Sequence, residues 1–259
     1  MEITTILGIL AGIVSVVGAM IFKHISFSVL YNPAAYFVIF VGTIATILNS
    51  YPGKDLKNLG KLFKILFTSN STKGKEIKII DEIVGMAEFS RKEGILALEK
   101  KMVDSHNDFL KKGLRMIIDA CDSEYVKDVL FSYVSSMKKR HEANAGIFTS
   151  AGTYAPTLGV LGAVFGLIAA MGNIDDTAEM SHAIAAAFIA TILGIFTGYV
   201  LWHPFAKKLK IKSQREVLEK MLIIEGVLSI QKGDSPVRIK EKLYSMLPDS
   251  EQPKEAEET

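Results

Sequence analysis

Residues 151–167 read AGTYAPTLGVLGAVFGL. The stretch is apolar enough to belong to a membrane span, yet it carries four glycines and a proline. In water such residues weaken a helix, because glycine loses backbone entropy and proline lacks a donor. In lipid there is no hydrophobic drive between helices, and small residues let backbones approach closely. The stretch therefore reads as a helix face made for close contact inside a bilayer. That reading sets the class of the whole chain.

The flanking sequence agrees. No charged residue occurs over 3–22, 33–50, 143–174 or 180–206. These four runs match or approach the roughly twenty residues a helix needs to cross the hydrocarbon core. Apolar residues are 49% of the 259-residue chain, and they cluster in these runs instead of recurring periodically as in a soluble domain of that length. The N-terminal MEITT has no basic n-region and no A-x-A site, so the first run reads as a retained helix and not a cleaved leader.

Lys and Arg near the span ends set the orientation. Lys54, Lys57, Lys61 and Lys64 follow the second run, Lys138, Lys139 and Arg140 precede the third, and Lys207, Lys208, Lys210, Lys212 and Arg215 follow the fourth. The loop between the first two runs holds only Lys23, and the loop between the last two holds Asp175, Asp176 and Glu179 with no base. Both termini and the long middle segment are therefore expected in the cytoplasm. The lone Cys121 excludes a disulfide within the chain and suits a reducing compartment.

The expected architecture is all-α: a polytopic membrane protein with four transmembrane helices and a cytoplasmic helical domain between the second and third. Spans one and two fall in 1–50, the cytoplasmic domain in 51–147, spans three and four in 148–206, a C-terminal helical segment in 207–247 and a disordered tail in 248–259. Within 51–147 four apolar stripes recur at helical spacing. They are Leu56, Leu59, Leu62, Phe63 and Leu66; Ile80, Ile83, Val84 and Ala87; Leu114, Ile117 and Ile118; and Val126, Val129, Leu130, Tyr133, Val134 and Met137. The first, interleaved with lysines, suits a helix at the membrane surface. The simplest arrangement buries all four against each other. TSNSTKGK at 68–75 reads as a loop.

No catalytic constellation is present: there is no P-loop, no G-x-G-x-x-G after a strand, no G-x-S-x-G and no paired C-x-x-C. HEANA at 141–145 lacks the second histidine of a zinc helix. No enzyme activity, metal or cofactor is expected, and no nucleic-acid partner. None of the four runs has an Asp or Glu in its middle; His182 and His203 lie near opposite ends of the fourth. Ion pathways usually need a membrane-buried carboxylate or histidine. If this chain helps to conduct an ion, the titrating carboxylate must come from another chain.

Small residues show how such a partner could be held. Ala151, Ala155, Gly159 and Ala163 repeat every four residues, and Gly162 and Gly166 form a G-x-x-x-G pair. In span four Ala183, Ala187 and Thr191 share one stripe, and Ala190, Gly194 and Gly198 another. Packing of spans three and four on each other accounts for one face of each helix. The second face favours contacts with neighbouring subunits or a partner helix, expected at Ala155, Gly159, Gly162, Gly166, Ala187, Ala190 and Gly194. Pro156 removes a backbone donor near the inner end of span three, and Thr153, Thr157 and Thr191 bring hydroxyls to the same pair of helices.

RKEGILALE (91–99), MKKRHEANAGIF (137–148), YAPTLGVLGAVFGLIAAMGNIDD (154–176) and LWHPFAKKL (201–209), in this order, resemble the flagellar stator A subunits, MotA and its sodium-driven relative PomA. The resemblance covers nearly the whole chain. The sister TolQ and ExbB energisers share the proline-glycine span but usually have one span before the cytoplasmic segment, where this chain has two. They stand as the alternative reading. A membrane-embedded enzyme or solute carrier is the third, and it lacks polar residues inside the spans.

The resemblance implies a pentameric ring of A subunits around the helices of two MotB-like chains, whose aspartate binds the ion. It implies torque on the rotor protein FliG through Arg91 and Glu99. It implies an ion path and its coupling at Pro156, Thr157, Ala163, Thr191 and Pro204. Lys100 and Lys101 follow Glu99 where PomA-like chains often continue with an acid. Sodium-driven relatives tend to carry threonine at the position of Ala163; alanine offers a hard cation no oxygen, so proton use is expected.

Overall fold

The computed structural model describes residues 2–68 and 74–252, and among these there is no strand. The helices are α1 (Ile3–Phe22), α2 (Pro33–Tyr36), α3 (Gly42–Ser50), α4 (Gly53–Leu56), α5 (Leu59–Phe67), α6 (Lys75–Glu93), α7 (Leu98–Met102), α8 (Asp108–Ile118), α9 (Ser123–Gly172), α10 (Thr177–Phe196), α11 (His203–Lys232) and α12 (Pro236–Tyr244). Two π-helical segments join helices without a break: Phe37–Val41 between α2 and α3, and Thr197–Trp202 between α10 and α11. Four helical stretches are long and apolar enough to cross a membrane: Ile3–Phe22, Phe27–Ser50, Ser123–Gly172 and Thr177–Lys232. They contain the runs at 3–22, 33–50 and 180–206 and all but the last two residues of the run at 143–174. The expected loop at 68–75 falls largely outside the described residues, as do residues 253–259 of the expected tail. The first tail residues form a turn in which Glu251 N–H donates to the Pro248 carbonyl and the Gln252 side-chain amide to the Leu247 carbonyl (2.8 and 2.9 Å).

The chain divides into two compact units. The first comprises Met1–Ser69 and Arg140–Ile211, the second Asn70–Lys139 and Lys212–Thr259. These units cut the chain differently from the ranges expected above. The C-terminal helices join the middle segment, and α5 joins the spans.

In the first unit the spans start and stop for local reasons. Asn32 caps α2, its side-chain oxygen accepting from Ala35 N–H, and Pro33 follows at the first helical position. The amide of the same Asn32 donates to the Ala186 carbonyl at 2.9 Å and pins the second span to α10. Asp176 caps α10 through Ala178 and Glu179 N–H. The core lies beside α5: Leu62 and Leu66 are buried with Ala145, Phe148, Phe205, Ala206 and Leu209. Phe63 meets Phe148 edge-on at 5.2 Å and Trp202 at 6.4 Å, and Phe67 meets Phe205 at 6.1 Å. This corrects one expectation. The first of the four apolar stripes belongs to the first unit and the other three to the second; its Leu59, Leu62, Phe63 and Leu66 pack on the aromatic surface of Phe148, Trp202 and Phe205.

The other three stripes do pack together. Ile80, Ile83, Leu114, Ile117, Val126 and Leu130 share a core with Leu222, Ile223, Val227, Ile239 and Leu243 of α11 and α12. Gly226 admits Ile83 so closely that a Cβ there would lie 2.5 Å from Ile83 Cγ2, and one on Gly113 would lie 2.9 Å from Val227 Cγ2. Buried Glu219 accepts from Lys75 Nζ at 2.6 Å, which offsets the cost of removing a carboxylate from water. Cys121 is half-buried against this core, and its carbonyl accepts from the Gln231 amide at 2.7 Å.

Candidate functional site

The opening stretch lies in the C-terminal half of α9 and packs along α10. The contact is a seam of backbone against backbone. A Cβ on Gly159 would lie 2.8 Å from the Ala190 carbonyl oxygen and 2.9 Å from Gly194 Cα. One on Gly194 would lie 2.8 Å from both the Ala155 oxygen and Gly159 Cα. The seam continues at Gly166, opposite Ala187 (2.8 Å), and at Gly162, opposite Ala190 (3.2 Å). In a bilayer such closeness is what holds two helices together. Ala155, Gly159, Gly162, Gly166, Ala187, Ala190 and Gly194, expected to face other chains, all lie on this contact within one chain. Away from the seam the membrane-spanning parts of α9 and α10 present large apolar side chains instead: Val160, Val164, Phe165 and Ile168 on one helix, Phe188, Ile192 and Ile195 on the other, all exposed.

Pro156 sits where the seam is tightest. It has no N–H, so it leaves the Gly152 carbonyl, four residues earlier, without its helical donor. Gly198 lies against that carbonyl and the proline ring: a Cβ there would meet Gly152 O and Pro156 Cγ, each at 2.7 Å. Gly198 belongs to the π segment, where His203 N–H donates to the Gly198 carbonyl five residues back. This wider turn re-satisfies the backbone just before Pro204, the second residue of α11, which cannot donate. Pro204 therefore does not end the helix. Gly152 also admits the His203 ring, whose atoms would lie 2.8 Å from a Cβ, and His203 stacks near Tyr199 at 5.2 Å between centroids.

The threonine hydroxyls are satisfied within their own helices. Thr153 donates to the Thr149 carbonyl (3.0 Å), Thr157 to Tyr154 (2.7 Å), Thr191 to Ala187 (3.4 Å) and Thr197 to Leu193 (2.8 Å). Thr157 is exposed, while Thr191 and Ala163 are half-buried beside the seam. Pro156 and the seam residues are thus brought together, with Pro204 one helical junction away. Sequence reasoning did not single out the π segments, the Asn32 bond to α10 or the Lys208–Glu2 ion pair (2.9 Å); none has a compositional signature. Gly198 was legible, as the continuation of the Ala190–Gly194 stripe.

The second candidate surface lies in the other compact unit. Arg91 is in the last turn of α6 and Glu99 in the first turn of α7. Each charge suits its helix end, basic at the C-terminus and acidic at the N-terminus. Between them Gly94 turns the chain at φ +87°, ψ 162°, a conformation open only to glycine. Leu98, fully buried, fixes the start of α7. Arg91 and Glu99 are exposed, and neither makes an ion pair among the described residues. Leu96, in the 3-10 turn between them, is 73% exposed. No group of three or more His, Cys, Asp or Glu is placed to hold a metal among the described residues.

Residues 102–221 match the MotA/TolQ/ExbB proton channel family. The whole chain aligns with Motility protein A of Bacillus subtilis at 48% identity, covering 95% of that protein. It aligns with Motility protein A of Helicobacter pylori at 33% identity, over 95% of each chain. Its fold superposes on a chain of the flagellar MotAB stator complex from Bacillus subtilis with a TM-score of 0.90, covering 98% of this chain and 100% of that one.

Proposed function

The chain belongs to the MotA/TolQ/ExbB proton channel family, and on that premise we propose a division of labour for its two units. It is a multi-pass stator subunit of a bacterial flagellar motor, in the inner membrane, and it works with a MotB-type partner. The observation that carries this reading is the likeness over almost the full length of a stator-complex chain, in sequence and in fold together. In this reading the chain is a channel and motor component with no enzyme activity.

The first unit guides the ion. Pro156, Thr157, Ala163, Thr191 and Pro204 border the path, and the partner supplies the carboxylate that α9 and α10 lack. The hydroxyls bonded to their own helices can turn toward a bound ion without losing a buried partner elsewhere. The proline and π junctions give α9 and α10–α11 places where backbone bonds can rearrange at small cost. Ala163 provides no oxygen, which supports protons as the coupling ion. A ring of copies, five in number by family resemblance, then turns about the partner. The second unit carries that motion to the rotor protein FliG through Arg91 and Glu99. Exposed pairs of this kind are individually weak and salt-screened, as suits contacts that must form and break at every step.

Complementation tests the reading. Expressed with its partner in a strain lacking its own A subunit, the chain should restore swimming, and swimming should persist without sodium but stop with a protonophore. Native mass spectrometry of the purified protein should show a ring with partner bound. A monomer with and without the partner would remove the motor reading, and loss of swimming on sodium removal alone would remove the proton assignment. The energiser alternative predicts that charge reversal at Arg91 changes nothing.

A further inference from the structure

We propose that the lysine row of α4–α5 is a binding site for the headgroups of anionic phospholipids. The inference needs only that the four spans cross a membrane; it is independent of the motor.

Three observations place the row. First, α5 is tied to the inner ends of the spans. Glu2 N–H, at the start of α1, donates to the Phe67 carbonyl at the end of α5 (3.0 Å). Lys208, just past the fourth span, pairs with Glu2 at 2.9 Å, and Tyr51, just past the second, shares a hydrogen bond with Ser150 of the third at 2.9 Å. α5 therefore lies at the level where hydrocarbon gives way to headgroups. Second, its inward face is used up: Leu62 and Leu66 are buried, and Phe63 and Phe67 stack on Phe148, Trp202 and Phe205. Tyr and Trp at this level are the usual mark of a membrane interface. Third, Lys54, Lys57, Lys61 and Lys64 recur every three or four residues, and all four are exposed. None of them makes an ion pair among the described residues. Asp55 is the single acid in α4 and α5. Exposed Lys207 and Lys210, at the start of α11 in the same unit, add to the same charge.

A phosphodiester headgroup matches this surface. Lysine stems lie along apolar surface while the ammonium reaches the polar layer. A cytoplasmic leaflet rich in anionic lipid attracts each lysine near it enough to shift partition on the order of fivefold. The row would hold a shell of anionic lipid at one flank of every subunit, with α5 relaying that contact to Phe148 of α9 and Trp202 of the π segment.

The test uses the full chain purified with its partner. The complex is placed in nanodiscs of equal phosphatidylglycerol and phosphatidylcholine, re-extracted in mild detergent, and its retained lipid counted by mass spectrometry. The wild type should retain phosphatidylglycerol over phosphatidylcholine by about fivefold or more. K54Q/K57Q/K61Q/K64Q should bring the ratio to within about twofold of unity, while K92Q/K100Q/K101Q/K127Q, which removes the same charge from the other unit, should leave it high. A wild-type ratio near unity overturns the proposal, as does an equal loss in both variants. If the first variant does not assemble, the wild type is compared at low and high salt: the ratio should fall several-fold as the ammonium–phosphate attraction is screened, and a salt-independent ratio overturns it.

Discussion

Two glycines at helix contacts, one in each unit, meet different things. Gly194, in the membrane unit, faces backbone: the Ala155 carbonyl and Gly159 Cα. Gly226, in the other unit, faces the branched side chain of Ile83. At the α9–α10 seam the difference follows from solvent; elsewhere in the same unit Gly12 and Gly42 face the side chains of Val200 and Leu158. Where water drives apolar side chains together, a core of Ile, Leu and Val is stable on its own and a glycine only makes room for one of them. Where the surroundings are already apolar, large side chains gain nothing by meeting each other, so the helices approach until their backbones touch. A side chain can change rotamer to admit an intruder; a backbone cannot.

The comparison breaks most visibly at Gly194. Gly194→Val would put three carbons where the opposite helix already has Ala155 O and Gly159 Cα at 2.8 Å. Overpacking costs roughly 1–3 kcal/mol where neighbours can shift; against fixed backbone the cost should exceed that range. The expected outcome is no monodisperse complex on size-exclusion chromatography and no swimming. No second substitution should rescue it, because the facing residue is already glycine. A well-assembled variant would mean that the seam is looser than drawn.

Next comes the water-driven core. Leu222 is fully buried among Ile83, Leu130 and their neighbours. Leu222→Ala should destabilise the second unit by about 2–5 kcal/mol, read as a lower unfolding midpoint of the purified complex. Gly226→Ala should cost less, about 1–3 kcal/mol, because Ile83 can give. Ile83→Ala removes all three side-chain atoms that a Cβ on Gly226 would meet, Cγ2, Cδ1 and Cγ1, so the pair Ile83→Ala/Gly226→Ala should be more stable than the sum of the single changes predicts. Strict additivity would show that Gly226 is conserving backbone geometry and not space for Ile83.

The two regions also differed in how much of them could be read from sequence. The seam was legible because lipid imposes a simple rule: small residues at a spacing of four, as in Ala155, Gly159 and Ala163, mark a contact face. The rule did not say whose face. The structure uses it within the chain and leaves Phe165, Ile168 and Phe188 outward. The core of the second unit was only half legible. Ile80, Leu114 and Val126 announced amphipathic helices, but the helices that complete their core, around Leu222 and Ile239, lie about a hundred residues on, and periodicity carries no information about partners that distant. The first stripe went astray for the same reason: Leu62 and Leu66 satisfy any apolar surface equally well, and the aromatic surface of Phe148 and Phe205 is visible only once α9 and α11 are folded. The π segments were not legible, since Thr197–Trp202 has ordinary helix composition around Gly198.

The smallest expected effect on stability is the one with a large effect on motion. Arg91 and Glu99 stand apart from both packing regimes, exposed at helix ends that suit their charges and beside a glycine turn held by buried Leu98. Arg91→Glu should therefore change the unfolding midpoint of the complex by no more than a surface substitution does, within about 0.5 kcal/mol, with a small loss from placing an acid at a helix C-terminus. Swimming speed should fall sharply at low viscosity and further under load, while ion leakage through the complex stays unchanged. Charge reversal on the rotor should restore part of the speed. If leakage and stability fell together with speed, the surface would belong to the packing of the second unit, and the separation between a unit that guides the ion and a unit that pushes would not hold.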